Sequence, residues 1–207
     1  MSEIILYGPP QSSYVRTARM VCIEKGAPHR LEPLELGSDA HERLHPYKRV
    51  PSMRHGDVEL WETQAIAHYV DAAFEGPALT PSDPAARGRM EQWISAINCY
   101  IYGDVIRDYA LQYFIPKLRG VEPDRRKIEE GLPKLERDFA LLDEGYARQP
   151  YLGGESLCLA DLFVAPIVQT VGMCPEGQAV LERTTNLRRA YQALSKRESF
   201  KAVHAPT

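Results

Sequence analysis

The first part of the chain alternates between short apolar runs and helically spaced apolar positions. Ile4–Tyr7 is an apolar run that ends at Gly8-Pro9-Pro10, which predicts a buried strand entering a loop. From about residue 14 to residue 25 the apolar positions have helical spacing, and Gly26 stands where a helix C-terminal glycine is expected. A strand, a loop and a helix in this order open a βαβ unit.

The following segments predict a second strand, a hairpin and a helix. The strand is expected at roughly residues 29–36, whereas the polar stretch 37–49 has too little periodicity to assign. An extended segment that begins at Val50, a turn at residues 55–57 and the alternating segment Val58–Trp61 predict a β-hairpin. Thr63–Ala73 has helical spacing and is followed by Gly76-Pro77.

Strand signals stop near residue 80, and the rest of the chain reads as helical. Apolar residues at steps of three and four predict long helices through residues 90–105 and 128–146, with at least two more near 159–171 and 186–196. We therefore predict an α/β domain over residues 1–78, a linker at 79–84 and an all-helical domain over 85–207.

Composition and charge narrow the classes of function. The chain has 207 residues, of which 44% are hydrophobic and 26% charged, as in an ordinary globular protein. A net charge of -3 argues against a broad nucleic-acid-binding face. The longest charge-free run, residues 162–175, is too short to span a membrane, and no secretory signal is recognisable, so a soluble cytoplasmic protein is expected. The four cysteines form no CxxC pair and predict no metal site.

Two positions are suited to receive a peptide ligand. A cis Val50–Pro51 bond ahead of a strand would turn the Val50 N–H and C=O outward, where an extended peptide could pair with them. The alternative is a proline that only begins an edge strand. Thr63 lies at a helix N-terminus, where free N–H groups and the helix dipole favour a carboxylate. The alternative there is that Thr63 only caps the helix and Glu62 is a favourable charge at its start.

These features, taken in order, resemble the cytosolic glutathione transferase family, in particular bacterial serine-type members similar to the phi, zeta and theta classes. The matching segments are LYG, SSYVRTARMVCIEKG, VPSM, WETQAIAHYV and YLGGESLCLADLFVAP, and together they extend over nearly the whole chain. The resemblance implies a thioredoxin-like N-terminal domain, a helical C-terminal domain and a homodimer. It also implies transfer of the glutathione thiolate to a small hydrophobic electrophile. The alternatives are a glutathione-dependent isomerase, a peroxidase and a non-catalytic glutathione-binding member.

The resemblance places the catalytic serine on Ser12, in the loop before the first helix. Its hydroxyl would donate a hydrogen bond to the glutathione thiolate and so lower the pKa of the thiol. Ser13, one residue further on, and Tyr7, at the end of the first strand, are the alternatives.

The same resemblance assigns five residues to glutathione binding. Val50 and Pro51 would present the backbone that pairs with the cysteinyl unit. Arg49 would reach the glycyl carboxylate, unless it is only a solvated surface residue. Thr63 would hold the γ-glutamyl carboxylate, and Glu62 would pair with the neighbouring ammonium group.

Four tyrosines crowd the first long helix of the predicted C-terminal domain. An aromatic wall suits planar apolar electrophiles and can donate hydrogen bonds to a developing negative charge. The candidates for this pocket are Tyr100, Tyr102, Tyr109 and Tyr113, and the alternative for each is a packing role.

Overall fold

The structure is a computed structural model that describes residues 2–204. The chain forms two compact units, one of Met1–Thr80 with Lys196–Thr207 and the other of Pro81–Ser195. All of residues 85–207 were expected to form one helical domain, whereas the last helix belongs with the N-terminal unit.

The first unit is built on a four-stranded mixed sheet with the strand order β2-β1-β3-β4. Strand β1 runs parallel to β2 and antiparallel to β3, and β3 runs antiparallel to β4. The elements along the chain are β1 (Ile4–Tyr7), α1 (Ser13–Glu24), β2 (His29–Glu32), α2 (Asp39–Leu44), β3 (Ser52–His55), β4 (Val58–Trp61) and α3 (Thr63–Ala73).

The register of the sheet aligns three strand ends. Tyr7 lies opposite Ser52, and Ser52 lies opposite Trp61. Because β1 and β4 end at this row while β3 begins there, three segments leave the sheet at the same end. They are the loop after β1, the segment before β3 and the start of α3. The register thus brings these three segments, which are far apart in the sequence, to the same end of the sheet.

Helix α2 lies in the stretch that the sequence analysis left unassigned. It has six residues and begins after Ser38, whose Oγ accepts a hydrogen bond from the His41 N–H at 3.2 Å. Such a short helix shows no periodic apolar face, and its buried residue is His41. Strand β2 is also shorter than predicted, since it ends at Glu32 rather than near residue 36.

A buried ion pair connects the ends of α1 and α3. The Lys25 ammonium lies 3.1 Å from Asp71 Oδ1, with side chains only 4% and 8% exposed. Lys25 also donates to the Pro77 C=O at 3.0 Å, and Asp71 Oδ1 accepts from the Leu79 N–H at 3.0 Å. These contacts hold the segment after α3 against the end of α1.

The second unit is helical. Its helices are α4 (Pro84–Ala96), α5 (Leu111–Arg119), α6 (Arg125–Arg148), α7 (Leu159–Gly172), α8 (Pro175–Arg183) and α9 (Thr185–Leu194), and α10 (Glu198–His204) follows in the first unit. Between α4 and α5 the chain continues as two π-helical segments, Ile97–Ile101 and Gly103–Ala110. Helix α7 is buried along most of its length and forms the centre of this core.

Two structural features are absent from residues 2–204. No helix in this range has both the length and the apolar character needed to cross a bilayer. In the same range, no group of three or more His, Cys, Asp or Glu side chains is arranged to hold a metal ion.

Candidate active site

Ser12 is the N-cap residue of α1. Its backbone is extended, and its Oγ accepts a hydrogen bond from the Val15 N–H at 3.4 Å. Because the hydroxyl accepts here, its proton is left to donate to a ligand. Arg16 Nε donates to the Pro10 C=O at 3.1 Å and so fixes the loop that leads into Ser12. Ser12 is therefore a half-buried residue at a helix N-terminus, in the loop that follows β1.

The two rivals of Ser12 are placed differently. Ser13 is the first residue of α1 and is only 5% exposed. Tyr7 is half-buried at the end of β1, in the row that contains Ser52 and Trp61. Of the two serines, Ser12 is the more accessible to a ligand.

The Val50–Pro51 peptide bond is cis, as the sequence analysis suggested. Strand β3 begins at Ser52, so Val50 lies outside the strand ladder, and no hydrogen bond of its backbone is found within the described residues. The Val50 side chain closely approaches Gly8, where an added Cβ would lie 3.1 Å from the Val50 Cβ. The β1–α1 loop and the segment before β3 are thus in contact.

His41 ties α2 to Arg49. The His41 Nδ1 accepts a hydrogen bond from the Gly37 N–H at 3.0 Å, which leaves the ring proton on Nε2. Nε2 then donates to the Arg49 C=O at 2.9 Å. The Arg49 side chain itself is exposed and free to meet an anion from solvent. His41 therefore fixes the backbone at Arg49.

Glu62 and Thr63 begin α3. Glu62 is the N-cap residue, and its side chain forms no capping hydrogen bond with the first turn. Thr63 is the first helical residue and is 5% exposed, so Glu62 and not Thr63 occupies the cap position. The N–H groups of this turn remain suited to a ligand carboxylate. The Glu62 backbone has φ 72°, a left-handed conformation that is costly for a residue with a side chain.

The four candidate tyrosines lie in the helical unit in different environments. Tyr109 is fully buried, donates to Glu176 Oε2 at 3.2 Å and accepts from the Gly177 N–H at 2.7 Å. Tyr113 is half-buried and also donates to Glu176 Oε2, at 2.5 Å. Burial and the Glu176 contact raise the pKa of Tyr113 to about 12. Tyr109 is therefore a packing residue and not part of a pocket wall.

Tyr100 and Tyr102 keep their candidacy for electrophile binding. Tyr100 is 68% exposed and lies in the first π-helical segment. Tyr102 is half-buried and lies between the two segments. Widened helical turns of this kind are frequent at functional sites.

Two family models match the two parts of this chain. A family model described as the glutathione S-transferase N-terminal domain matches residues 6–78, and the model of the C-terminal domain matches residues 102–198. This chain belongs to the glutathione S-transferase family. Glutathione S-transferase 3 of Zea mays is 25% identical over 99% of this chain and 95% of its own sequence.

Two solved structures of the family show the same fold. One is glutathione S-transferase III in apo form, with a TM-score of 0.88 and 25% identity over 99% of this chain and 96% of that chain. The other is the theta class glutathione S-transferase of Xanthomonas axonopodis pv. citri with glutathione bound. Its TM-score is 0.83, with 25% identity over 100% of this chain and 99% of that chain. The predicted fold class, a thioredoxin-like domain and a helical domain, is confirmed.

Gly8→Ala is expected to weaken glutathione binding and to lower the free energy of unfolding. The glycine has φ 143°, and a Cβ there would lie 2.7 Å from Val15 Cγ2 and 3.1 Å from the Val50 Cβ. Relief of this overlap must displace the Val15 side chain and shift Val50 by a few tenths of an ångström, so we expect a higher KM for glutathione. We also expect a loss in unfolding free energy of about 1–3 kcal/mol from the overlap, in addition to about 1–2 kcal/mol from the left-handed backbone.

Gly26→Ala is the matched control for this substitution. Gly26 also has a positive φ, of 64°, but an added Cβ meets nothing within 4 Å. Its cost is therefore the backbone strain of about 1–2 kcal/mol alone. Steady-state kinetics and denaturant unfolding of both variants check the prediction. An unchanged KM for glutathione in Gly8→Ala would contradict the glutathione-binding role that the family resemblance implies for Val50.

Proposed function

We propose that this glutathione S-transferase activates the glutathione thiol through Ser12 and transfers it to an electrophilic carbon of a small hydrophobic compound, giving a thioether. The observation that carries the proposal is the row Tyr7, Ser52 and Trp61 at one end of the sheet. Every residue assigned to glutathione by the resemblance lies within a few positions of this row along the chain.

The tripeptide would be bound through its backbone and its charges. The free backbone groups of Val50 pair with the cysteinyl unit as an added strand edge. The first turn of α3, with the Thr63 hydroxyl, receives the γ-glutamyl carboxylate. The exposed Glu62 carboxylate pairs with the ammonium group, and the Arg49 guanidinium pairs with the glycyl carboxylate.

Activation requires the thiol to ionise near neutral pH. A free thiol has a pKa of about 8.5, so only a few per cent is thiolate at pH 7. Lowering the pKa by about two units requires roughly 2.7 kcal/mol of preferential stabilisation of the thiolate. A hydrogen bond to a charged group contributes about 1.5–3 kcal/mol, and a helix N-terminus adds about 0.3–1 kcal/mol. Ser12 at the start of α1 can supply both, and it keeps its own proton because it acts as a donor.

Proximity contributes to the rate as much as activation does. Binding both reactants on one protein sets the sulfur beside the electrophilic carbon and removes much of the entropic cost of their encounter. Tyr100, Tyr102 and Tyr113 are the candidates to contact the electrophile. Isomerisation and hydroperoxide reduction would use the same thiolate and remain alternative reactions. A cytoplasmic homodimer, implied by the family resemblance, completes the proposal.

The experiment that tests this function is incubation of the purified protein with glutathione and an activated aryl halide. We expect the glutathionyl aryl thioether, identified by mass spectrometry, to form faster than in the protein-free reaction. Binding of glutathione without acceleration for aryl halides or unsaturated carbonyls would instead favour the non-catalytic alternative.

A further inference from the structure

His45 is a buried histidine beside the residue proposed to bind the glutathione amino group. It follows α2 and is 1% exposed. Its ring lies 5.2 Å from the Trp61 ring and 6.4 Å from the Tyr47 ring, between centroids. This aromatic packing leaves the imidazole little freedom to rotate.

The hydrogen bonds of His45 fix where its proton lies. Nδ1 accepts a hydrogen bond from the Tyr47 N–H at 3.3 Å, so the proton of the neutral ring is on Nε2. Nε2 lies 3.8 Å from Glu62 Oε1. The protonated ring nitrogen therefore lies near the carboxylate, at a distance that a small rotation of the exposed Glu62 side chain can shorten to that of a hydrogen bond.

Burial favours the neutral form of His45. Burial lowers its pKa, Glu62 raises it, and His41 and Arg49 lower it further, with the net pKa below the ordinary value. A neutral donor differs from an imidazolium in one important respect. It orients the Glu62 carboxylate without cancelling the negative charge that a ligand ammonium group requires.

Glu62 needs such an orienting contact. Its side chain is 60% exposed, and its backbone has the costly left-handed conformation noted above. An exposed glutamate has several rotamers of similar energy, and fixing one of them costs entropy when a ligand binds. A neighbour that restricts the carboxylate beforehand reduces this cost.

We propose that His45 is a positioning residue for glutathione, whose neutral Nε2–H holds the Glu62 carboxylate where it receives the γ-glutamyl ammonium group. This inference rests on the proposed function. It names a determinant of glutathione specificity that acts only through the amino group of the ligand. The affinity for a glutathione analogue without that amino group should therefore not depend on His45.

The experiment measures dissociation constants by calorimetry for glutathione and for its desamino analogue, glutaryl-cysteinyl-glycine. His45→Phe keeps an aromatic ring against Trp61 and Tyr47 but removes both ring nitrogens. We expect it to bind glutathione about tenfold more weakly, the loss of one charge-assisted hydrogen bond, and to bind the desamino analogue as the wild type does.

Three further variants make the test specific. His45→Gln places an amide N–H near the position of Nε2 and should bind glutathione within about threefold of the wild type, whereas His45→Asn is one methylene too short and should behave like the phenylalanine variant. If His45→Phe fails to fold, the comparison of the glutamine and asparagine variants tests the role of His45 by itself. His55→Phe is the matched control, because His55 also packs against aromatic rings but bonds to Tyr69 and Ser2. It should bind both ligands like the wild type.

The outcomes separate the inference from the function on which it rests. If the wild type binds no glutathione, the proposed function fails. If Glu62→Gln removes the preference for glutathione over its desamino analogue but His45→Phe and His45→Asn keep it, only the role of His45 is overturned. An equal loss for both ligands in the His45 variants would also overturn it, because it would indicate a merely structural residue.

Discussion

Ser12→Ala is expected to lower kcat/KM for the electrophile, measured at saturating glutathione, about fiftyfold at pH 6.5 and by less than about twofold at pH 9. If the bound thiol returns from a pKa of roughly 6.5 to about 8.5, its thiolate fraction at pH 6.5 falls from about one half to about one hundredth. Above both values the thiol is ionised with or without the hydroxyl. The pH profile of kcat/KM for both proteins checks this.

Ser13→Ala is the control for Ser12→Ala. It makes the same change one residue away, at a buried position, and should leave the profile unchanged. The lost cap at Ser12 costs about 1 kcal/mol of stability, so both variants are compared below their melting temperatures. A decrease that is equal at all pH values would mean that Ser12 supports binding or folding and not ionisation.

Lys25→Met is expected to lower the free energy of unfolding by about 3–5 kcal/mol, the usual cost of removing one partner of a buried ion pair. Asp71 would keep its buried charge but lose the ammonium 3.1 Å away. The segment after α3 would also lose the hydrogen bond from Lys25 to the Pro77 C=O. Urea unfolding followed by circular dichroism measures the difference.

Arg30→Met provides the matched control for this pair. Arg30 bonds to Glu3 and Glu32, but these side chains are 41% to 46% exposed. Exposed pairs contribute about 0–1 kcal/mol, so the control should unfold nearly as the wild type does. An equal loss of unfolding free energy in the two methionine variants would contradict the stabilising role assigned to the buried pair.

The pH dependence of the Lys25→Met effect follows from Asp71. Burial raises the pKa of Asp71, but hydrogen bonds from the Leu79 N–H, Thr80 and Lys25 together lower it below the ordinary value. A carboxyl group with a lowered folded pKa stabilises the fold above its unfolded pKa of about 3.9 and loses this contribution as the pH falls through the folded value. The difference between wild type and variant should therefore shrink below about pH 4.

The sequence predicted the elements whose boundaries are set by local signals. Strand β1 and helix α3 have the predicted bounds, because an apolar run before Gly8-Pro9-Pro10 and helical spacing after Glu62 are local patterns. Helix α2 was missed because a helix of six residues, shorter than two turns, shows no periodic apolar face. The π-helical segments are equally invisible, since apolar spacing does not distinguish them from an α-helix.

The candidate site was likewise predictable where local motifs mark its residues, and not where contacts between distant segments position them. Ser12, Val50, Pro51, Glu62 and Thr63 were named from short motifs, whereas the contacts that position them depend on the register of the sheet. His45 was assigned no role, because its contact with Glu62 crosses from the end of α2 to the start of α3. The available signal was two histidines four residues apart ahead of the Val-Pro pair. Tyr109 was a candidate for the electrophile pocket but is a buried packing residue. Helical spacing alone did not reveal that its hydroxyl is bonded to Glu176 within the helical unit.

Whether the Ser12 hydroxyl lowers the pKa of the bound thiol is tested by the ultraviolet thiolate absorbance of protein-bound glutathione measured against pH. We expect a midpoint about two pH units below that of free glutathione in the wild type, and a midpoint near the free value in Ser12→Ala. Equal lowering in both proteins would contradict the assignment to Ser12 and favour Tyr7 or Ser13, and no lowering in the wild type would contradict thiol activation altogether.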